Sequence, residues 1–404
     1  MIININDYKN DKSNPHLLQK LIDICKEKGG GSIIIPDGEE IISNPLSLYS
    51  NISIHIEKGA KIISNSSSSN LPGKPFIFAE NANNISISGT GIIDGNGKSF
   101  IIEKLPHIYK CQKERGHTIQ LKNCKNIRFE NFSIQNSPLY SIHLFKCENA
   151  LINNLNILND LKMPNTDGID PDSSKNIIIS NCYIESGDDC ICLKTNSTNI
   201  QDPCDSILIN NCILKSSSCA IKFGSESNTD IKNIVISNCI INDSNRGIGF
   251  QLRDSGNIEN ILISDCIIKT KKHHNDWWGK AEPIYITAIP RNDNTKVGSI
   301  SNINIKKITS ISENGIYLEG IKSKNINNIS LEDISLQIKN SKEFPEQQFD
   351  RRPCVDNQII STPLSAIRCE NIKNASVKNL TVKWETNKKH RIILSKNSSL
   401  KIRR

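Results

Sequence analysis

The sequence of 404 residues lacks features that mark several common protein classes. No apolar run is long enough to span a bilayer, so no membrane partner is expected. Aromatic residues make up only 5% of the chain and helical heptads are absent, which argues against a coiled coil. The opening residues, MIININDYKNDKSN, have neither the apolar core nor the cleavage site of a signal peptide. Cytoplasmic residence is therefore expected, or secretion if a leader has been removed.

The fourteen cysteines lack the spacing of a metal site, because the chain has no CxxC pair and no Cys/His cluster of that kind. No metal and no cofactor are therefore predicted. Five cysteines follow Asn or Asp beside an apolar segment and are expected to be small buried residues in a stack: Cys124, Cys182, Cys212, Cys239 and Cys266. Cys190 and Cys192 are expected in the core, with a redox-sensitive role as the alternative.

The formal charge of +8 suits an anionic partner. Much of the excess lies in residues 388–391 and 401–404, which are expected to be solvated tail. Basic and aromatic residues are not interleaved, so nucleic acid is not expected as a partner. The choice between monomer and homo-oligomer stays open at the level of sequence.

What the chain does have is one recurring phrase, Asn-Ile-x-Ile-x-Asn, built from its abundant Asn, Ile and Ser residues. Clear copies begin at Asn84, Asn126, Asn176, Ser206, Asn233 and Asn260, and weaker ones at Asn302, Asn328 and Asn374. Each copy reads as a short alternating strand with a polar corner. Such a repeat over many copies indicates an all-β solenoid, with Ile stacked inside and Asn and Ser at the corners.

A short amphipathic helix is predicted before the repeat begins. In residues 15–28, apolar side chains recur three or four positions apart, at Leu17, Leu18, Leu21, Ile22 and Cys25. Three glycines, residues 29–31, would end this helix. We expect it to cap the open end of the solenoid.

The repeat predicts a single domain over residues 1–404. Residues 1–48 would form the cap and first coil, 49–340 the main coils with the active site, and 341–404 a C-terminal loop and the last coils. The charged segment Glu343–Pro353 is expected to be a surface loop. Two segments interrupt the repeat, 98–116 and 271–291, and inserted loops in a solenoid usually fall on one binding face.

Two acidic clusters carry the chemistry, Asn165-Thr166-Asp167 and Gly187-Asp188-Asp189. They stand 21 to 22 residues apart, about one coil, so stacked strands would bring them within roughly 4.8 Å. Crowded carboxylates separate into a protonated and an ionised form, which suits glycoside hydrolysis. Because neighbouring strand residues face opposite ways, a bend beginning at Gly187 is expected. The competing interpretation is that Asp and Gly merely form turns at coil corners.

These clusters resemble glycoside hydrolase family 28, the polygalacturonase-like pectin hydrolases, which carry NTD and then GDD with an apolar stretch and a lysine, here ending at Lys194. Ser137–His143 and the opening segment to Gly38 also resemble the family, and the likeness spans residues from about 5 to about 340. The resemblance implies a right-handed parallel β-helix. It implies Asp188 as the general acid, with Asp167 and Asp189 as the base, and inversion of the anomeric centre.

The sequence departs from that family in two motifs. Ser218 stands where the family has the His of GHG, and Gly249 and Gln251 replace the cations of RIK. Cleavage of plain homogalacturonan is therefore not expected, and the pattern resembles rhamnogalacturonan-type branches. Four other cations could bind the substrate carboxylate in their place: Lys222, Arg246, Arg253 and Arg291. The alternative is that these are solvated or corner-capping charges.

Further candidates for substrate binding come from the flanking coils. The full predicted set is Asn165, Lys194, His143, Ser218, Lys222, Glu226, Arg246, Gln251, Arg253, Trp277, Trp278 and Arg291. His143 has a satisfied core histidine as its alternative, and Asp170 and Asp172 are expected to form turns. The Trp pair is predicted to be a sugar-stacking wall of the cleft, although two His and an Asp in that loop leave a metal site as a lesser alternative.

The favoured function is an inverting glycoside hydrolase of pectin-derived acidic glycans or oligosaccharides. Cytoplasmic residence favours exo action on short oligomers, because polymers do not enter cells. A non-catalytic glycan-binding β-helix is the main alternative. A pectate-lyase-like enzyme fits less well, because it needs Ca²⁺-binding acids and an Arg base.

Overall fold

The computed structural model describes residues 1–11, 13–67, 69–339, 347–355, 358–385 and 390–403. The chain divides into two compact units, Met1–Asp188 and Asp189–Arg404. Among the described residues, none of the helices is long and apolar enough to cross a membrane.

The described residues of the first unit form one α-helix, two 3₁₀ segments and twenty strands. In chain order they are β1 (Ile2–Asn4), a 3₁₀ segment (Ile5–Asp11), α1 (Leu17–Glu27), β2 (Gly31–Ile35), β3 (Glu40–Ser43), β4 (Leu46–Ser47), β5 (Ile52–Ile56), β6 (Lys61–Ser64), β7 (Ile77–Glu80), β8 (Asn83–Gly89), β9 (Ile92–Asp94), a 3₁₀ segment (Gly97–Phe100), β10 (Ile101–Glu103), β11 (Lys110–Cys111), β12 (Ile119–Lys122), β13 (Lys125–Glu130), β14 (Ser133–Gln135), β15 (Ile142–Phe145), β16 (Glu148–Asn153), β17 (Asn156–Leu158), β18 (Ile169–Asp172), β19 (Lys175–Ser180) and β20 (Tyr183–Ser186).

The main coils of this unit each contribute three strands, and equivalent strands of successive coils pair in parallel. One ladder is β7–β12–β15–β18, a second is β5–β8–β13–β16–β19, and a third is β6–β9–β14–β17–β20. Pairing is in register, so Ile119 lies beside Ile142 and Ile142 beside Ile169, all fully buried. The core is therefore a set of stacked isoleucine columns, as the repeat predicted.

Asparagine ladders explain the other half of the repeated phrase. Asn84, Asn126, Asn149 and Asn176 all adopt left-handed backbone conformations, which Asn tolerates better than most residues. Each side-chain amide donates to the Asn of the preceding coil, over distances of 3.1, 3.3 and 3.2 Å. The polar corner of each coil is thus bonded to its neighbour.

The predicted helix is confirmed as α1, with its five apolar residues buried. It packs against β2, β4 and β5, where it covers the start of the stack. Gly29 has a φ of +82°, and the backbone N–H of Gly30 closes the last turn on the carbonyl of Cys25 at 2.9 Å.

Within the described part of the second unit there are eighteen strands: β21 (Ile191–Thr195), β22 (Cys204–Asn210), β23 (Ile213–Ser216), β24 (Cys219–Ser227), β25 (Ile231–Ser237), β26 (Ile240–Ser244), β27 (Arg246–Leu252), β28 (Ile258–Thr270), β29 (Glu282–Ala288), β30 (Ile300–Ser312), β31 (Ile316–Gly320), β32 (Ile326–Ile338), β33 (Gln347–Asp350), β34 (Ile359–Thr362), β35 (Ser365–Glu370), β36 (Ile372–Trp384), β37 (Arg391–Lys396) and β38 (Leu400–Arg403). Parallel ladders run β21–β24–β27–β29–β31–β35–β37 and β22–β25–β28–β30–β32–β36–β38.

The structure differs from the expectation of a surface loop at 343–353. Residues 343–346 lie outside the described residues, but β33 forms an antiparallel hairpin with β34. Phe349 in this hairpin is fully buried and stacks on Tyr317 with ring centroids 4.2 Å apart. Residues 347–350 therefore form a strand that packs against the core, where an exposed loop was expected.

All fourteen cysteines lie in the described part of the chain, and none forms a disulfide. The five expected in a stack are buried, and so are Cys190 and Cys192. Their interpretation as small apolar core residues is confirmed.

Candidate active site

The acidic clusters lie on loops at the ends of strands. Asp167 ends the loop between β17 and β18, and the bend predicted at Gly187 is present after β20. Thr166 fixes both segments, because its carbonyl accepts from the Ser186 hydroxyl and its Oγ1 accepts from the Gly187 N–H at 3.1 Å. A Cβ at position 187 would come within 2.1 Å of the Met163 carbonyl, so only glycine fits this bend.

Arg115 is a site residue that the sequence analysis missed. Its Nη1 donates to the carbonyls of Pro138 (3.0 Å) and Pro164 (2.8 Å), and its Nη2 donates to Asn165 Oδ1 at 2.9 Å. The Asn165 amide in turn donates to Asp188 Oδ2 at 3.4 Å. Burial lowers the pKa of Arg115, and the nearby Asp188 charge partly offsets this. No motif marks Arg115, since it lies in the segment 98–116 that interrupts the repeat.

His143 is held by two partners in the first unit. Its Nε2 lies 3.1 Å from Asp172 Oδ2 and its Nδ1 lies 3.0 Å from Gln120 Nε2. Both ring nitrogens are therefore used, which supports the alternative of a satisfied histidine. Asp170 and Asp172 were expected to form turns. They are instead fully buried members of β18.

Asp189 begins the second unit in surroundings unlike those of Asp188. It is 1% exposed, and its Oδ2 accepts from Lys222 Nζ at 2.8 Å. Its Oδ1 accepts from the Cys219 backbone N–H at 3.2 Å. Both oxygens therefore have hydrogen-bond donors, one of them a cation.

Three of the predicted substrate-binding side chains are structural in this fold. Arg246 is 1% exposed, pairs with Glu282 through Nε and Nη2 at 3.2 Å each, and lies 3.7 Å from the Tyr285 ring centroid. Arg253 is fully buried and donates to the carbonyls of residues 351 and 353. Gln251, also buried, donates to the carbonyl of residue 352 at 2.9 Å. Residues 350–353 accept hydrogen bonds from all three, so these buried side chains have structural partners and the structure does not support their assignment to substrate.

Ser218 is also buried, and its backbone is bonded to Ser216 and Arg246. The described structure gives no support to a substrate contact by its side chain.

Lys222, Arg291 and Glu226 form a polar group on the second unit. Arg291 donates to both oxygens of Asp254 at 2.9 Å and lies 3.8 Å from Glu226. Burial alone would raise the pKa of Glu226, but Lys194, Lys222 and Arg291 outweigh it and lower that pKa. Glu226 is therefore an ionised acceptor that is partly exposed, as a sugar hydroxyl would need.

The two tryptophans do not share one role. Trp277 is 5% exposed, so it packs inside the loop and cannot stack on a sugar. Trp278 is partly exposed, and its ring centroid lies 5.5 Å from Lys222 Nζ, the partner of Asp189. Trp278 is thus on the Asp189 side of its unit, and its role as a sugar platform stays a prediction.

Comparison with known proteins gives a family match and a match in fold. The family model for glycosyl hydrolases family 28 matches residues 25–354. A probable polygalacturonase of Arabidopsis thaliana is 27% identical over 181 residues, which cover 44% of this chain and 38% of the relative. The chain thus spans well under half the length of that curated relative.

Solved structures match over nearly the whole chain. A family 28 exopolygalacturonase of Yersinia enterocolitica has a TM-score of 0.70 at 15% identity, covering 100% of this chain and 78% of the other. A hyperthermoactive exopolygalacturonase of Thermotoga maritima has a TM-score of 0.63 at 18% identity, covering 99% and 92%. The right-handed parallel β-helix predicted from the sequence is confirmed. The chain belongs to glycosyl hydrolases family 28.

Proposed function

We propose that this protein is an inverting glycoside hydrolase that acts on pectin-derived acidic glycans or oligosaccharides. The observation that carries the proposal is the contrast between two adjacent carboxylates. Asp188 is partly exposed and accepts a hydrogen bond from the neutral amide of Asn165. Asp189 is buried and accepts a hydrogen bond from the Lys222 ammonium group. This difference in burial and partners is the basis for proposing Asp188 as the acid and Asp189 as part of the base.

In the proposed mechanism, Asp188 protonates the leaving oxygen of the glycosidic bond. Asp167 and Asp189 hold a water molecule and remove its proton as it attacks the anomeric carbon from the other face. Lys222 Nζ and the Cys219 backbone N–H hold the Asp189 carboxylate in place through hydrogen bonds. The water attacks opposite the leaving group, so the configuration inverts.

The proposed substrate is not plain homogalacturonan. Gly249 offers no cation, and Gln251 is buried beneath the C-terminal segment. Burying the carboxylate of a uronate without a cationic partner costs several kcal/mol of binding free energy. Short rhamnogalacturonan-type oligomers fit better, and the likeness in fold to exopolygalacturonases supports cleavage from one end. None of the fourteen cysteines forms a disulfide, which supports a cytoplasmic site of action.

A panel of defined pectic oligosaccharides tests the proposal. We expect reducing-sugar release, an early product of inverted configuration by proton NMR, and weak or no release from polygalacturonate. Net retention would refute the mechanism. Equal rates on polygalacturonate would refute the substrate assignment. Binding without any product would favour the glycan-binding alternative.

A further inference from the structure

A cluster of rings lies on the first unit beside the acid-bearing loop. His117 and Tyr140 have ring centroids 4.8 Å apart, and His117 and His143 are 4.9 Å apart. Tyr140 stands edge-on to His143 at 86° and 5.7 Å. All three side chains are partly exposed. The unit therefore presents an aromatic surface that is neither core nor fully in solvent.

The strand register aligns this surface with the catalytic column. Ile119, Ile142 and Ile169 are paired neighbours, and His117, Tyr140 and Asp167 each precede one of them by two positions. Backbone bonds continue the alignment, since Thr118 donates to the Tyr140 carbonyl (2.9 Å) and Ser141 to the Asp167 carbonyl (2.7 Å). Tyr140 is therefore one strand spacing from Asp167, roughly 4.8 Å along the stack, and His117 one further.

The surface is held rigidly before any ligand binds. His143, at the base of the cluster, is fixed by Asp172 on one side and Gln120 on the other. Arg115, two residues before His117, ties the carbonyls of Pro138 and Pro164, which flank the cluster in the neighbouring loops. A surface whose side chains are already ordered loses little entropy on binding.

We propose that Tyr140 and His117 form a sugar-binding subsite, which takes the substrate ring next to the one attacked at Asp167. The apolar C–H face of a pyranose suits an aromatic ring, so the aromatic ring of Tyr140 is the feature that would bind. This inference rests on the proposed hydrolase function.

The test compares ring removal with ring retention. Tyr140→Ala and Tyr140→Leu should raise KM for a pectic trisaccharide at least about tenfold with a smaller effect on kcat, since loss of uniform binding acts on KM. Tyr140→Phe should stay near the wild type. Tyr183→Ala, which removes a partly exposed tyrosine from β20, is the matched control and should change nothing. Unchanged KM in both Tyr140→Ala and Tyr140→Leu would overturn the subsite.

A binding measurement separates the two levels of the proposal. Trisaccharide affinity is measured by calorimetry on Asp188→Asn protein, with and without Tyr140→Leu. If wild-type protein releases no product but Tyr140→Leu still weakens binding at least about tenfold, hydrolysis is refuted and the subsite stands. If wild-type protein is active and binding is unchanged by Tyr140→Leu, only the subsite is refuted.

Discussion

The outward faces of the two units are used in opposite ways. On the first unit, Gln120 and His143 stand on the ladder β12–β15, where Gln120 is buried and His143 is partly exposed, and hydrogen bonds join His143 to Gln120 and to Asp172. On the second unit, the ladder β27–β29–β31 carries Tyr285 and Tyr317, which are fully buried beneath Phe349. The same kind of strand surface is hydrogen-bonded and partly open in one unit and is a packing face in the other. The difference comes from the C-terminal hairpin, which returns to cover the second.

The strongest test of this contrast is Asp188→Asn in the open face of the first unit. Loss of a general acid should lower kcat by at least about a hundredfold, since such groups contribute roughly 10²–10⁴ in rate. The melting temperature should not change. Near-normal turnover would remove Asp188 from the mechanism.

On the covered face, Arg246→Met should cost stability and not chemistry. It leaves Glu282 buried without its partner, a loss of about 3–5 kcal/mol in the free energy of unfolding. The matched double variant, Arg246→Met with Glu282→Leu, should recover much of that loss, because no buried charge remains. Denaturant unfolding measures both. Equal losses in the single and double variants would contradict the ion-pair account.

Arg115→Gln sharpens the comparison, because Arg115 orients Asn165 toward Asp188. A charge-assisted hydrogen bond contributes about 1.5–3 kcal/mol, so kcat should fall about ten- to a hundredfold. The alkaline limb of the kcat–pH profile should move to higher pH, because a nearby cation favours the ionised acid. Arg128→Gln removes an exposed arginine paired with Glu130 and should leave rate and profile intact. A lower melting temperature with an unmoved pH profile would assign Arg115 a purely structural role.

The tryptophan pair divides along the same line. Trp278→Ala should raise KM several-fold, because a partly exposed ring beside Lys222 is lost, whereas Trp277→Ala should lower the melting temperature by opening a cavity. Steady-state kinetics and thermal unfolding are measured on both variants, so that KM and melting temperature can be compared between them. The opposite pattern would reverse the two assignments.

The smallest expected effect concerns acid stability of the covered face. Burial would raise the pKa of Asp350, but its hydrogen bond with Arg352 and the charge of Arg246 outweigh this and lower it below the ordinary 3.8. A carboxyl group whose pKa is lower in the folded state than in the unfolded state stabilises the fold at pH values above its unfolded pKa. That contribution to the free energy of unfolding is lost as the pH falls through the folded pKa. Asp350→Asn should therefore flatten the dependence of unfolding free energy on pH below about 4. An unchanged slope would contradict the shift.

Local patterns in the sequence were enough to predict α1, the strand phrase, the buried cysteines and the bend at Gly187. Each depends on residues within one coil or on neighbouring coils. Arg246, Gln251 and Arg253 were misassigned because their partners lie about a hundred positions away, at residues 350–353. Charged side chains on a strand read as exposed unless the covering segment is known. Asp172 was misread for a related reason, since its partner His143 sits 29 residues earlier on the adjacent strand.

The asparagine ladder separates the architecture of the coils from the length of their loops. Successive rungs at Asn84, Asn126, Asn149 and Asn176 are 42, 23 and 27 residues apart, yet the amides still meet. Extra residues therefore lie in loops outside the stacked strands, and closing a longer loop adds little to the entropic cost of folding. Arg115 lies in such a loop. Loops on this scaffold can be lengthened or exchanged without re-registering the strands, so a change of substrate need not be a change of fold.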